Sequence, residues 1–524
     1  MTDAELQSEL SPRQAGQEGF ARGMAWSFAA TGGQQGVGTL VTFVLAVLLG
    51  PHAYGLVAIA TIYIAFVQLA LNQGFSTTII QRQQLEPSHL DSAFWLNVGW
   101  AVVLMGASIG LSSVWADINH AQQLGRIIDV LSVLILIQSL TLVQQSILIR
   151  KLDFKKLAIR SNIAAVAGGV VGIVAALEGA GVWALVSQQL VTAFVSLVLL
   201  WVVSRWVPRL RFSPRHAREL MRFSIQVFAG NLARFLDQRA DAMMMGIFFG
   251  PVAVGVYRLA DRLVDAFVRI SNRPVMTFAL AHFSRLQDDS DGLRRAVRSC
   301  MRLNALATVP FMLLLAACAK QIAGVLGPQW TAAPDVLRLL AVVGISKVFL
   351  DYAAALLFAV GKPHLRAVFQ WVLAAISAAT FAGAAVVLQH HSTRHQVLGI
   401  AASRVVLFAL VFVPVNLIIV RRLTGNSIRS LLASAREPVA AGFAAVAVVA
   451  LADRAGLLDE GHPVVRLTLA AALGVATLVG MLALIDPRMR EPVERFRRRR
   501  APLEVAVPVG AESVAAAPAV VVPK

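Results

Sequence analysis

Apolar runs of membrane-crossing length recur along almost the whole chain, and they leave few folds open. In hydrocarbon every backbone N–H and C=O must be satisfied within the protein, so only helices and closed barrels can cross. A crossing helix needs about 20 mostly apolar residues. Such runs cover residues 24–49, 54–79, 91–114, 126–149, 158–178, 180–204, 221–249, 252–278, 296–319, 335–360, 363–388, 396–420, 428–452 and 463–485. The expected fold is an all-α polytopic membrane protein with about fourteen transmembrane helices. Composition agrees: 57% of the 524 residues are apolar and 15% are charged, against about 45–50% and 25% in soluble domains.

The net charge of +18 does not point to nucleic acid, because its source is local. Basic residues fall in alternate connections: Arg150 to Arg160, Arg205 to Arg222, Arg285 to Arg298, Lys362 and Arg366, Arg421 to Arg429, and Arg488 to Arg500. The intervening connections are nearly bare, with no Lys or Arg in 50–54, 178–181 or 250–256. Lys and Arg collect on the cytoplasmic side. This predicts both termini in the cytoplasm and an even number of crossings. The N-terminal segment 1–23 carries Asp3, Glu5, Glu9 and Glu18, unlike the basic start of a cleaved signal peptide. The first helix is therefore expected to stay and act as its own insertion signal. Residues 486–524 read as a basic and then disordered tail, broken by Pro502, Pro508, Pro518 and Pro523. Cys300 and Cys318 have no metal or disulfide spacing.

A repeat divides the chain. Gly50-Pro51, Ala53, Gly55 and Ala60 return 200 residues later as Gly250-Pro251, Ala253, Gly255 and Ala260. An even number of crossings separates the copies, so both run in the same direction, as two parallel halves. The first lobe spans 24–204, a basic linker covers 205–220, and the second lobe spans 221–420. Two further helices fill 428–485.

Only the second copy is charged. Its first limb holds Arg234, Asp237, Arg239 and Asp241, and its second Arg258, Asp261, Arg262, Asp265 and Arg269. Each charge in hydrocarbon costs at least ~2.5–3.5 kcal/mol, so such residues face protein or water. At ~100° per residue, Arg258, Asp261, Arg262, Asp265 and Arg269 share one helical face, as expected of a cavity wall. Two readings stand together. In one, the charges pair within the hairpin (Arg234 with Asp237, Arg258 with Asp261, Asp265 with Arg269) and bind the helices. In the other, the five arginines, in surplus over four aspartates, bind an anionic group, for which guanidinium suits phosphate. Asp237, Asp241, Asp261 and Asp265 are then candidates for a coupling proton or cation, with Asp237 and Asp265 deepest. Gln34, Gln35, Gln68 and Asn72 are candidate sugar contacts, and Gln138, Gln144, Gln145, Gln188 and Gln189 add further amides. Lys347 and Asp351 are spaced to pair, and Arg404 is placed on the same cavity.

Ordered stretches carry a family resemblance: LLGPHAYGLVAIA (48–60), GFSTTIIQRQQL (74–85), RKLDFKKLAIR (150–160), GVWALVSQQL (181–190), RLQDDSDGLRRA (285–296) and LGPQWTAAPDVLRLLA (326–341). The chain resembles Wzx-type polysaccharide flippases of the multidrug/oligosaccharidyl-lipid/polysaccharide exporter superfamily. The resemblance implies two six-helix bundles, two added C-terminal helices and alternating access. It implies a cargo of undecaprenyl-pyrophosphate-linked oligosaccharide moved across the bacterial inner membrane for exopolysaccharide, O-antigen or capsule assembly. Membrane lipids, a polysaccharide polymerase and export machinery are the expected partners. No cofactor is expected beyond a proton or sodium gradient. The alternatives are a cation-coupled exporter of small molecules, a glycan-assembly enzyme, or a scaffold. The connections between basic loops are short, which disfavours an enzyme. No Gly-rich Lys-Ser/Thr loop points to ATP.

Overall fold

Two turns with the same backbone set the architecture. Gly50 has φ 74° and ψ 175°, and Gly250 has φ 78° and ψ −173°. Side chains on L-residues resist positive φ, and the proline that follows each glycine fits the first helical position. The 200-residue sequence repeat is thus also a conformational repeat. The computed structural model describes residues 17–485 apart from 72–75, 77–78, 81–86, 205, 211–213, 288, 361–362 and 458–461. Residues 1–16, the tail 486–524 and Asn72 lie outside the described residues.

Every element among the described residues is helical. The first lobe contains α1 (Gln17–Leu71), which bends at Gly50 into limbs 17–49 and 51–71, then α2 (Pro87–Gly110), α3 (Ser112–Ile118), α4 (Gln123–Leu131), α5 (Val133–Arg150), α6 (Phe154–Leu177) and α7 (Val182–Ser204). The second lobe contains α8 (Pro214–Phe249), α9 (Pro251–Arg285), α10 (Ser290–Ala317), α11 (Ala319–Leu326), α12 (Ala333–Ser346), α13 (Asp351–Ala359), α14 (Pro363–Leu388), α15 (Thr393–Leu407) and α16 (Val413–Thr424). After these come α17 (Ile428–Ala433), α18 (Arg436–Arg454) and α19 (Pro463–Ile485). The stretch 205–220, expected as a linker, is helical from Pro214 onward.

Among the described residues ten helical stretches are long and apolar enough to cross a membrane, against an expected fourteen. The difference has physical causes. Gly32–Leu71 counts once but bends at Gly50 into two limbs. Helices α8 and α9 are charged along their length, and α18 carries Arg436, Glu437, Asp453 and Arg454 at its ends. Several crossings are also interrupted. A 3-10 turn at Lys347–Phe349 separates α12 from α13. A π-helical turn at Phe408–Phe412 joins α15 to α16. Pro414 follows it, and a proline ring clashes with the carbonyl four residues back, which the wider π turn accommodates.

The lobes meet where the second limb of α1 crosses α9. A Cβ on Gly55 would lie 1.7 Å from the Pro251 carbonyl oxygen, and one on Gly255 would lie 2.0 Å from that of Pro51. These contacts are reciprocal, so the pseudo-twofold relation between the lobes passes between the two glycines. Leu56, Ile59 and Ala60 join Val256, Leu259 and Leu263 in a core that runs across both lobes. On the same side of the molecule Gln329 sits against Gly50, and Trp330 packs edge-on to Tyr54 with ring centroids 6.3 Å apart. The connections on the opposite side carry the basic residues. These are called here the turn side and the basic side.

Candidate functional site

The charged hairpin is now α8 and α9, and distant helices decide the state of its charges. Arg404 of α15 lies buried between the limbs. Its Nη1 is 2.6 Å from Asp241 Oδ2, 3.0 Å from Asp261 Oδ1 and 2.8 Å from the Tyr257 hydroxyl. The Tyr257 hydroxyl donates to Asp241 Oδ2 at 2.5 Å, and Arg258 pairs with the second oxygen of Asp261. The side chains of Arg404, Asp241 and Asp261 are 7%, 2% and 4% exposed. The network is sealed and balanced, two guanidinium groups against two carboxylates. Burial of ions is tolerable only with such pairing. Asp241 and Asp261, expected as coupling residues, are instead locked by Arg404. Arg258, expected on the cavity wall, is committed to Asp261.

The other two aspartates also find partners off the hairpin. Lys347, in the 3-10 turn, donates to Asp265 Oδ1 at 2.6 Å. The expected Lys347–Asp351 pair does not form; Asp351 accepts from Asn272, which itself accepts from Asn304. Asp237 accepts from Gln370 at 3.1 Å and Ser377 at 2.9 Å, both on α14. The expected pairs Arg234–Asp237 and Asp265–Arg269 are not among the ion pairs of the described residues. Asp237 is therefore the one aspartate of the hairpin held by neutral groups.

The arginines that remain define the accessible face. Arg234 and Arg262 are exposed, Arg239 is half-buried, and Arg269 is half-buried with its Nε buried and unpartnered among the described residues. Along α9 the partly open positions Arg258, Arg262, Asp265 and Arg269 alternate with buried Leu259, Leu263, Val264 and Val268. Four of the five residues that helical spacing puts on one face are at least partly open; Asp261 is buried. With Lys347 and Arg404 included, seven basic side chains meet four acidic ones here. A guanidinium without a partner cannot rest in hydrocarbon, so this face borders water or an anionic ligand.

The first lobe supplies a different wall. A pocket of about 330 Å³ lies among α1, α5 and α7, lined by Gln68, Gln138, Thr141, Gln188, Gln189, Thr192 and Ser196 with Leu134, Ile137 and Ala193. No charged residue among the described ones lines it. Of the amides singled out in the sequence, Gln34 is exposed and Gln35 half-buried, and neither lines this pocket. Gln144 is fully buried, and Gln145 accepts from Arg160. Tyr257, Gln370, Ser377, Thr141, Thr192 and Ser196 escaped the sequence reading. Gln188, Thr192 and Ser196 repeat every four residues, a legible polar stripe; Gln370 and Ser377 carry no such signal toward Asp237.

A family model described as "Polysaccharide biosynthesis protein" matches residues 44–335. A succinoglycan biosynthesis transport protein, ExoT of Rhizobium meliloti, is 28% identical over 321 residues, covering 61% of this chain and 65% of the relative. The Escherichia coli lipopolysaccharide biosynthesis protein WzxC is 26% identical over 327 residues, covering 62% of this chain and 66% of the relative. These alignments thus span just under two thirds of each relative. Among solved structures, the lipid II flippase MurJ in an inward closed conformation superposes with a TM-score of 0.66 at 11% identity, over 90% of this chain and all (100%) of that one. At that identity the likeness concerns the fold alone. The family model covers more than half of the 524 residues, and the chain belongs to the polysaccharide biosynthesis protein family.

Proposed function

We propose that the chain is a flippase, not an enzyme, that moves a lipid-linked oligosaccharide across the bacterial cytoplasmic membrane during polysaccharide assembly. The observation that carries this reading is the set of arginines on the α8–α9 hairpin that have no carboxylate partner among the described residues, the exposed Arg262 and the half-buried Arg239 foremost. A pyrophosphate linkage is the anion such a face suits, because guanidinium binds phosphate bidentately. The sugar passes through the protein while the polyprenyl tail stays in the bilayer. Support comes from membership of the family and from relatives whose names place them in succinoglycan transport and lipopolysaccharide biosynthesis. The pattern of basic connections supports termini in the cytoplasm. The lobes then touch on the outer side, through Gly55 and Gly255. Export of cationic small molecules fits poorly with seven basic against four acidic side chains. A polymerase and export machinery are the partners that would draw off the flipped cargo.

The test is complementation of a flippase-deficient strain. With Arg239→Ala and Arg262→Ala together, surface polysaccharide is expected to fall at least about tenfold at unchanged protein level, the loss of two charge-assisted contacts of ~1.5–3 kcal/mol each. Full polysaccharide output from that variant would overturn the role of the arginine face.

Asp237 is the coupling group in this scheme, because its neutral partners leave the carboxylate free to exchange a proton or bind a cation. Transport by Asp237→Asn is expected to lose its sensitivity to collapse of the membrane gradient while wild-type transport keeps it. Equal sensitivity in the two proteins would remove Asp237 from coupling.

A further inference from the structure

The pseudo-twofold relation gives the neutral pocket a counterpart. The second limb of α1 corresponds to α9 through the 200-residue repeat. In chain order, α5 and α7 hold the places in the first lobe that α12–α13 and α15 hold in the second. In the second lobe those helices supply Asp261 and Asp265, Lys347, and Arg404, and their ion pairs bridge the helices. In the first lobe the matching helices supply Gln68, Gln138 and Gln188, and the space is an open pocket of about 330 Å³. One scaffold is thus bridged by ion pairs in one lobe and lined with unpaired amides in the other.

The amides are not spent on the protein. Among the described residues no hydrogen bond is made by the side chains of Gln68, Gln138 or Gln188, and Gln189 reaches only Thr61, at 3.4 Å. Amides stranded in hydrocarbon would each cost several kilocalories per mole, so the pocket is hydrated or occupied. A carboxamide offers both donors and an acceptor, the complement of a sugar hydroxyl. Leu134, Ile137 and Ala193 add an apolar strip for the C–H face of a ring. The volume equals roughly eleven waters at ~30 Å³ each, enough for about one or two pyranose rings. Gln68 stands ~27 Å along its helix from the turn, between the depths of Arg262 at ~18 Å and Arg269 at ~28 Å.

We infer that this pocket is the glycan subsite, and that it takes an uncharged pyranose of the cargo while the arginine face takes the pyrophosphate. The inference rests on the flippase reading and adds to it a division of labour between the lobes. The glycan that enters the pocket carries no carboxylate or phosphate, since none of the described residues that line it would neutralise one.

The full chain in lipid nanodiscs tests this with two probes: undecaprenyl pyrophosphate, and undecaprenyl pyrophosphate bearing a neutral hexose trisaccharide. Wild type is expected to bind the sugar-bearing probe about tenfold or more tightly, the yield of one or two net hydrogen bonds. In Gln68→Leu/Gln138→Leu the ratio is expected to fall to about one. A second variant guards against misfolding: Ser196→Cys, with Cys300→Ser and Cys318→Ser, folds first and is then capped by N-ethylmaleimide, which should also erase the preference. A preference that survives both changes overturns the subsite, as does equal binding of the two probes by wild type; in either case the flippase reading stands. Wild type that binds neither probe overturns the flippase reading, and the subsite with it.

Discussion

Arg404→Met is expected to destabilise the folded chain by about 3–5 kcal/mol, the usual penalty for removing one partner of a buried ion pair. The site is unforgiving because Arg404 serves two carboxylates at once, Asp241 at 2.6 Å and Asp261 at 3.0 Å. Arg258 would then face both carboxylates alone, and one negative charge would be left buried without compensation. The same accounting predicts a rescue. Arg404→Met combined with Asp241→Asn restores one guanidinium to one carboxylate, so the double variant should recover most of the lost stability. Thermal unfolding in detergent, read as a double-mutant cycle, measures this coupling. Additive losses in the double variant would mean that the network is not the closed unit described. Because these charges are structural, the rescued variant should also recover transport.

The second large effect belongs to the helix crossing. Even Gly55→Ala puts a methyl group 1.7 Å from the Pro251 carbonyl oxygen. That atom is backbone, so the helices must part. Overpacking of this kind costs about 1–3 kcal/mol, and about 1.4 kcal/mol is a tenfold shift in an equilibrium. The turn-side seal, where Tyr54 meets Trp330, should open accordingly. In a chain with Cys300→Ser and Cys318→Ser, the reactivity of Tyr54→Cys toward a water-soluble maleimide is expected to rise about tenfold when Gly55→Ala is added. An unchanged labelling rate would show that the crossing is not what holds that side shut. Gly255→Ala should act the same way, since the contact is reciprocal.

The sequence disclosed these features unequally, and the reason is range. The turn at Gly50 and its copy at Gly250 were legible because Gly-Pro before an apolar helix encodes both the positive φ and the helix start locally. The open face of α9 was legible because helical spacing alone puts Arg258, Arg262, Asp265 and Arg269 on one side. The partners were not. Arg404, Lys347, Gln370 and Ser377 approach the hairpin from helices more than eighty residues away in the chain, and pairing rules at three or four residues reach only Arg258–Asp261 among the expected pairs. The position of Arg404 is legible in the sequence but its role is not: it removes Asp241 and Asp261 from the accessible charge. The pocket was half legible, since the amides stood out one by one while their convergence on three helices required the fold.

Two kinds of charge therefore share one hairpin, and separating them is the direct test. Purified protein reconstituted into vesicles, with an undecaprenyl-pyrophosphate-linked oligosaccharide labelled on its sugar, permits flipping and stability to be measured on the same samples. Wild type should move the lipid between leaflets. Arg239→Ala/Arg262→Ala should keep the wild-type melting temperature within a few degrees and lose flipping by at least about tenfold, whereas Arg404→Met/Asp241→Asn should flip. Wild-type vesicles that never translocate the lipid, or an Arg239→Ala/Arg262→Ala variant that flips as fast as wild type, would contradict the account.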